Sequence, residues 1–293
     1  GKNYVLTEEK TPTRYVIPAK QTVDIAWNTV TGTSIENILK KWRADVFKVD
    51  GYLYWGNPEE DNGLVPMVMS ANPTAKSAAD ELGWPYGETQ GDATLEGAVY
   101  GVYKNGDLVD TYTTNKDGWF ITKYYPCGDN NEWTIREISA SEGYLLDPTV
   151  YYVDAHPGNY SVELNTEYID VYEAIIRGKI SIIKHADDGS TQIEHPEENA
   201  VFEVYLKSAG SYENARETER ALLVTDAYGY AETPEWLPYG VYTVKQTKGL
   251  EGKELMPAFD VRINEDGKTY RAGMFGGAGT NQLKREYMER RNV

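Results

Sequence analysis

Few residues in this chain combine the types and spacings that chemistry requires. Its three histidines each sit beside turn residues: His156 before Pro157-Gly158, His185 before Asp187-Asp188-Gly189, and His195 before Pro196. A zinc site needs nitrogen or sulfur ligands at fixed spacing. None is present, so neither a metal centre nor a cofactor is expected. Asp187-Asp188-Gly189 and Asp266-Gly267 look like pieces of calcium loops, but the EF-hand frame is missing and β-turns are the better reading. Cys127 lies in the turn Pro126-Cys127-Gly128 with no histidine nearby in sequence, so it reads as an ordinary residue and not as a catalytic thiol. Trp55, Trp84 and Tyr86 have Asn and Asp neighbours. That composition suits stacking on sugar rings or docking to a protein, which makes these three the candidate ligand contacts.

The elements that must position such residues announce themselves by repetition. The stretch Thr114 to Trp119 (TNKDGW) returns as Thr225 to Tyr230 (TDAYGY), Tyr125-Pro126-Cys127-Gly128 returns as Leu237-Pro238-Tyr239-Gly240, and Trp133 to Glu137 returns as Tyr242 to Gln246. The offset drifts little, from 111 residues at Thr114/Thr225 to 109 at Glu137/Gln246. A repeat of this kind divides a chain into modules. A third, partial copy lies at the start, where Tyr4 to Glu8 has the shape of Trp133 to Glu137. The expected division is therefore 1–40 as the C-terminal part of a preceding module, 41–177 as a middle module, and 178–293 as a last module.

Short alternating segments with Gly and Asp turns between them predict an all-β chain of sandwich modules. Strands are expected at 4–8, 15–17, 22–27, 43–50, 97–103, 108–113, 133–137, 150–153, 161–164, 178–184, 201–206, 221–225, 241–247, 259–263 and 286–292. Helix is minor and confined to loops, with candidates at 35–41, 75–82 and 212–220. The step from Lys48 to Ala98 is 50 residues, whereas the equivalent step from Lys184 to Ala200 is 16. The middle module thus carries an insertion at about 51–91, which reads as a surface insertion because loop length costs little entropy.

Bulk properties exclude some functions. A net charge of −17 would repel a polyanion, so nucleic acid is not an expected partner. A single cysteine rules out an intrachain disulfide framework. No run approaches the ~18 apolar residues of a membrane span.

Taken in order, GAVYGVY, TTNKDGW, YPCG, WTIRE and SEGYLL, then NAVFEVYL, TDAYGY, LPYG and YTVKQ, resemble the collagen-adhesin B-type module, also called the SpaA or prealbumin-like repeat of Gram-positive surface proteins and pilins. The resemblance covers all but the insertion. It implies tandem prealbumin-like, Ig-like β-sandwiches forming an extracellular stalk, secreted or attached to the cell wall. Many members of that family tie themselves with an isopeptide bond from a first-strand Lys to a last-strand Asn, helped by a buried acid. A buried amine becomes a nucleophile and a buried carboxyl can move protons.

Carried over residue by residue, the resemblance gives mixed candidates. Asn37 to Lys48 and Glu173 to Lys184 are both 11 residues, so the modules share a frame. The leading piece has Glu8 and Asn37, but its lysine-bearing strand would precede residue 1 unless Lys2, Lys10 or Lys20 substitutes or a strand from another chain pairs with it. The middle module has Lys48 and Glu137, with Glu173 at the Asn position and Asn165 as fallback acceptor. A carboxylate has no ammonia to lose, so a buried ion pair is expected there. The last module has Lys184 and Asn292, with Gln246 in place of the acid. The expected function is a structural and adhesive stalk without enzymatic turnover, with adjacent modules and a host or neighbouring-cell glycan or protein as partners. The alternative is a carbohydrate-binding or accessory region of a secreted glycoside hydrolase.

Overall fold

The computed structural model describes residues 1–55, 87–129, 131–186 and 195–275. Strand is their main regular structure, with little helix. The leading piece contributes β1 (Tyr4–Leu6) and β2 (Gln21–Val23), paired antiparallel. The middle module holds β3 (Lys41–Asp50), a short helix α1 (Gly51–Trp55), β4 (Val99–Lys104), β5 (Asp107–Thr113), β6 (Trp119–Ile121), β7 (Tyr125–Pro126), β8 (Trp133–Ser139), β9 (Tyr151–Tyr152) and β10 (Leu164–Glu173). The last module holds β11 (Arg177–Ala186), β12 (His195–Pro196), β13 (Val201–Leu206), β14 (Arg220–Val224), β15 (Tyr230–Glu232), β16 (Leu237–Pro238), β17 (Gly240–Lys248), β18 (Phe259–Ile263) and β19 (Lys268–Phe275).

Each module is two sheets face to face. In the middle module one sheet runs β10-β3-β6 with β7 also on β3, and the other runs β5-β4-β8-β9. The last module repeats this as β19-β11-β15, with β12 and β16 on β11, against β14-β13-β17-β18. In both, the first and last strands lie side by side and parallel: Lys48 faces Val171 in β3·β10, and Lys184 faces Met274 in β11·β19. Two apolar cores result. One is built on Trp42, Tyr100, Phe120, Tyr125 and Trp133, with the Trp42 and Tyr125 rings stacked at 5.0 Å; the other is built on Ile180, Ile182, Phe202, Val204 and Tyr242. The alternating burial of β3 from Lys41 to Val46, then continuous burial to Asp50, places Lys48 wholly inside.

The repeated turn grammar has a common cause. Asn115 Oδ1 accepts the backbone N–H groups of Asp117 and Trp119, as Asp226 Oδ1 accepts those of Tyr228 and Tyr230. Gly118 and Gly229 follow with φ of +76° and +72°, and a Cβ on either would strike the carbonyl of Lys48 or Lys184. The turn thus presses on the strand that carries each buried lysine, which also donates its N–H to the glycine carbonyl at 2.8 and 2.7 Å. Gly229→Ala is expected to cost on the order of 2–3 kcal/mol, combining left-handed strain with a backbone collision. Gly252→Ala, with φ of +76° but open space around it, should cost about 1 kcal/mol, and urea titration of both variants checks the difference.

Several predicted elements shift. The segment 15–17 is not a strand but an isolated bridge from Tyr15 to Leu39, and the 22–27 alternation is strand only through Val23. Trp27 is 92% exposed, so among the described residues no second layer covers that pattern. The 35–41 helix is absent, because Lys41 opens β3. The 212–220 helix is replaced by turns and a single 3₁₀ turn at Glu217–Glu219, after another at Lys207–Ala209, since Arg220 already belongs to β14 and Glu219 is buried with its side chain engaged. Of the strand expected at 161–164 only Leu164 is strand, where β10 begins and runs to Glu173. The strand parallel to β11 is Lys268–Phe275, while 286–292 and the 75–82 helix lie outside the described residues.

Candidate functional site

In the middle module the Lys48 side chain is 0% exposed and its Nζ lies 2.9 Å from Glu173 Oε1 and 3.1 Å from Glu137 Oε1. Strand β3 delivers the amine, β8 delivers Glu137 and the end of β10 delivers Glu173. The second oxygen of Glu137 accepts the Asp147 N–H at 2.7 Å, and the Tyr100 hydroxyl donates to Glu173 Oε1 at 3.3 Å. Among the described residues Glu173 Oε2 is buried without a partner. The Tyr144 ring closes one side, 5.1 Å from the Lys48 nitrogen, and its hydroxyl donates to Asp50. Among the described residues a single cation lies between the two buried carboxylates, an excess of negative charge when both are ionised. Burial accordingly pushes the Glu173 carboxyl up to about 7, with Lys48 pulling it down and Glu137 pushing it further up. Sequence placed Lys48, Glu137 and Glu173 as a set, and the structure brings these three together. Asn165 is elsewhere: it pairs with Trp42, six residues along β3 from Lys48, and its amide donates to the Lys41 and Val162 carbonyls.

In the last module Lys184 Nζ pairs with Glu197 Oε2 at 2.8 Å and donates to the His185 carbonyl at 3.2 Å. Glu197 Oε1 accepts the Leu250 N–H at 3.0 Å and the Gln246 amide at 3.4 Å, and Gln246 Oε1 accepts the Met256 N–H at 3.0 Å. Gln246 does replace Glu137, but the acid is not lost. It has moved to Glu197, which occupies the place of Leu95: the Thr225 hydroxyl donates to the Glu197 carbonyl as the Thr114 hydroxyl donates to that of Leu95. Sequence reasoning missed Glu197 because it compared like positions. The available signal was the lysine itself, since a buried amine whose expected acid is a glutamine must find its carboxylate elsewhere in the module. Asn292 lies outside the described residues.

In the leading piece the Asn37 amide donates to Glu8 Oε1 at 3.1 Å and to the Thr11 hydroxyl at 2.8 Å. The bridge Tyr15–Leu39 corresponds to Tyr144–Ile175, which puts Asn37 at the place of Glu173. Lys2, Lys10 and Lys20 are exposed, and among the described residues none forms an ion pair with Glu8.

Cys127 is buried and burial pushes its thiol up to about 12, which disfavours the thiolate. Trp55 ends α1, and Trp84 and Tyr86 lie outside the described residues.

The profile described as "SpaA: Prealbumin-like fold domain" matches residues 87–168 and again 178–275. No match is found among curated proteins. Among solved structures, the TIE protein of Bacillus anthracis superposes with a TM-score of 0.57 at 18% identity, covering 93% of this chain and 41% of that one. The chain therefore spans about two-fifths of that protein's length. GBS52, a minor pilin of Streptococcus agalactiae, is similar at 16% identity and a TM-score of 0.30, covering 80% of this chain and 94% of that one. The shaft pilin SpaA of Lactobacillus rhamnosus GG is similar at 11% identity and a TM-score of 0.27, covering 82% of this chain and 99% of that one.

Proposed function

Because the chain belongs to the SpaA prealbumin-like domain family, we propose that it is a length of a stalk on a bacterial cell surface, divided at about 1–40, 41–177 and 178–293, with a structural and adhesive role and no turnover. The observation that carries this reading is the placement of each buried lysine. Both sit on a first strand that runs parallel to the last, so tension entering at Lys41 and leaving at Glu173 loads ten paired residues in shear. Lys48 and Glu173 clasp the two strands near the exit end. A catalytic site would place its ionisable groups where substrate reaches them, whereas these are sealed in the sandwich interior. An accessory region of a glycoside hydrolase would need a sugar-binding face, and the aromatic candidates for one belong to the insertion. A glycan or matrix protein contacted through the insertion remains part of the proposal.

The clasp in the middle module is read as ionic and not covalent, because Glu173 has no ammonia to lose. Lys184 and Glu197 are read as an ionic pair as well, one that ties β11 to the segment after β12 and not to the last strand. Intact mass under denaturing conditions checks this: the expected value is that of the sequence. A mass lower by one or more ammonia molecules, with Lys48 or Lys184 in a branched peptide, would overturn it. For the adhesive role, binding of the chain to immobilised glycans or matrix proteins should be lost on deleting residues 53–88. Binding that survives the deletion would remove the insertion from the proposal, and hydrolysis of a glycan would remove the stalk reading.

A further inference from the structure

The link between the two sandwiches is short, Ala174-Ile175-Ile176 between β10 and β11. A short link limits reach but does not by itself fix an angle, and domains joined this way move relative to one another unless something else binds them. Here something does. The segment Gly87–Leu95 leads into β4 of the middle module, yet much of its bonding is to the last module. Asp92 uses three of its groups at once: its N–H donates to the Tyr239 carbonyl at 2.9 Å, Oδ2 accepts the Val241 N–H at 3.0 Å, and Oδ1 accepts the Ser208 hydroxyl at 2.6 Å. The Gly91 N–H donates to the buried Glu219 at 2.8 Å, and Arg216 donates to the Thr89 carbonyl at 2.9 Å. These partners come from three separate parts of the last module, namely the β16–β17 turn, the Lys207–Ala209 turn and the Glu217–Glu219 turn. Rotation about the link in any direction breaks at least one set.

The same segment is also fixed to the middle module. Thr94 N–H donates to the Glu142 carbonyl at 3.0 Å. The buried Gln90 amide bridges the modules, donating to Asp50 at 3.0 Å and accepting from Arg177 at 2.9 Å, while the Arg177 guanidinium lies over the Tyr52 ring at 3.6 Å. Ala93 and Leu95 pack with Tyr144, Ile175 and Tyr239 in a third core at the joint. Gly91 has φ of +58° and no room for a side chain, since a Cβ would collide with the Tyr239 carbonyl.

We propose that Gly87–Leu95 is a splint that locks the two modules at one angle, so that the pair moves as one rigid body. The foot of the insertion thereby serves as a joint. This goes beyond the stalk reading and does not depend on it.

Pulsed electron-spin distance measurement tests the proposal, with labels at Thr111→Cys and Lys245→Cys, which are exposed on opposite modules. Cys127 is buried and stays unlabelled. The expected result is a single narrow distance for the otherwise unaltered chain, and a distribution at least about twofold broader when Asp92→Ala and Arg177→Ala are combined. Near-UV circular dichroism reports whether the sandwiches persist. If that pair unfolds the chain, Gly91→Ala is the second variant, and it should displace or broaden the distance by wedging the joint open. A broad distribution in the unaltered chain would overturn the proposal. So would an unchanged narrow distance in variants that remain folded.

Discussion

Replacing Lys48 with methionine is expected to destabilise the middle module by about 3–5 kcal/mol, because it leaves the buried Glu137 and Glu173 without their cation, to be ionised unpaired or protonated at a cost. Among the described residues the amine is the one cation within 3.1 Å of both Glu137 and Glu173, and Glu173 Oε2 lacks a partner there. Urea unfolding followed by tryptophan fluorescence reads the loss, since Trp42 and Trp133 lie in that core. The cost should come from the unpaired acids and not from the missing ammonium. Lys48→Met combined with Glu137→Gln and Glu173→Gln should therefore recover most of the stability. Lys184→Met should cost less, because Glu197 keeps the Leu250 N–H and the Gln246 amide, and among the described residues no second carboxylate pairs with Lys184. A Lys48→Met loss under about 1 kcal/mol would mean that the pocket relaxes to admit water and that the clasp contributes little.

The contrast between the two lysine centres also shows what could be read in advance. The turn grammar of TNKDGW and TDAYGY was legible because a local rule generates it: a side chain caps two N–H groups, and a glycine at positive φ passes close to a carbonyl. Lys48, Glu137 and Glu173 were legible for a related reason, as each recurs in frame with a residue of another copy. Glu197 was not, because it replaces Leu95 in a loop segment far in sequence from Gln246, and two substitutions that offset each other across a core leave no mark on either segment alone. The joint was illegible as well. Glu88 to Asp92 reads as the polar tail of a loop, and nothing local says that Asp92 will meet Ser208 and Val241, more than a hundred residues away. The helix expected at 212–220 failed for the same cause. Its charged residues are helix formers in isolation, but Glu219 is recruited by the Gly91 N–H and Arg220 by β14.

Stability of the middle module should fall as pH rises from about 4.5 to about 7. The Glu173 carboxyl is held near 7 in the folded chain, against 4.5 for an ordinary glutamate. Between those values the native state keeps a proton that the unfolded chain has released. The unfolded state thus binds fewer protons, and the slope of unfolding free energy against pH is negative. Below about pH 4.5 the group is protonated in both states and contributes nothing. Above about 7 it is ionised in both, and the full penalty of a buried anion is present. The span corresponds to roughly 3 kcal/mol. This sign is opposite to that of a carboxylate stabilised by its salt bridge, and it arises because desolvation and the Glu137 charge together outweigh the pull of Lys48. Tyr100 and Tyr144 face the same group as neutral hydroxyls that burial holds protonated, so they do not titrate in the window. Glu173→Gln should flatten most of the dependence, with its intact mass checked so that a new covalent tie to Lys48 is not mistaken for the effect. Asp154 should leave a residual slope of the same sign, since burial raises its carboxyl too. A profile that rises from pH 5 to 7, or one that Glu173→Gln leaves unchanged, would show that Glu173 is ionised throughout and that Lys48 dominates its environment.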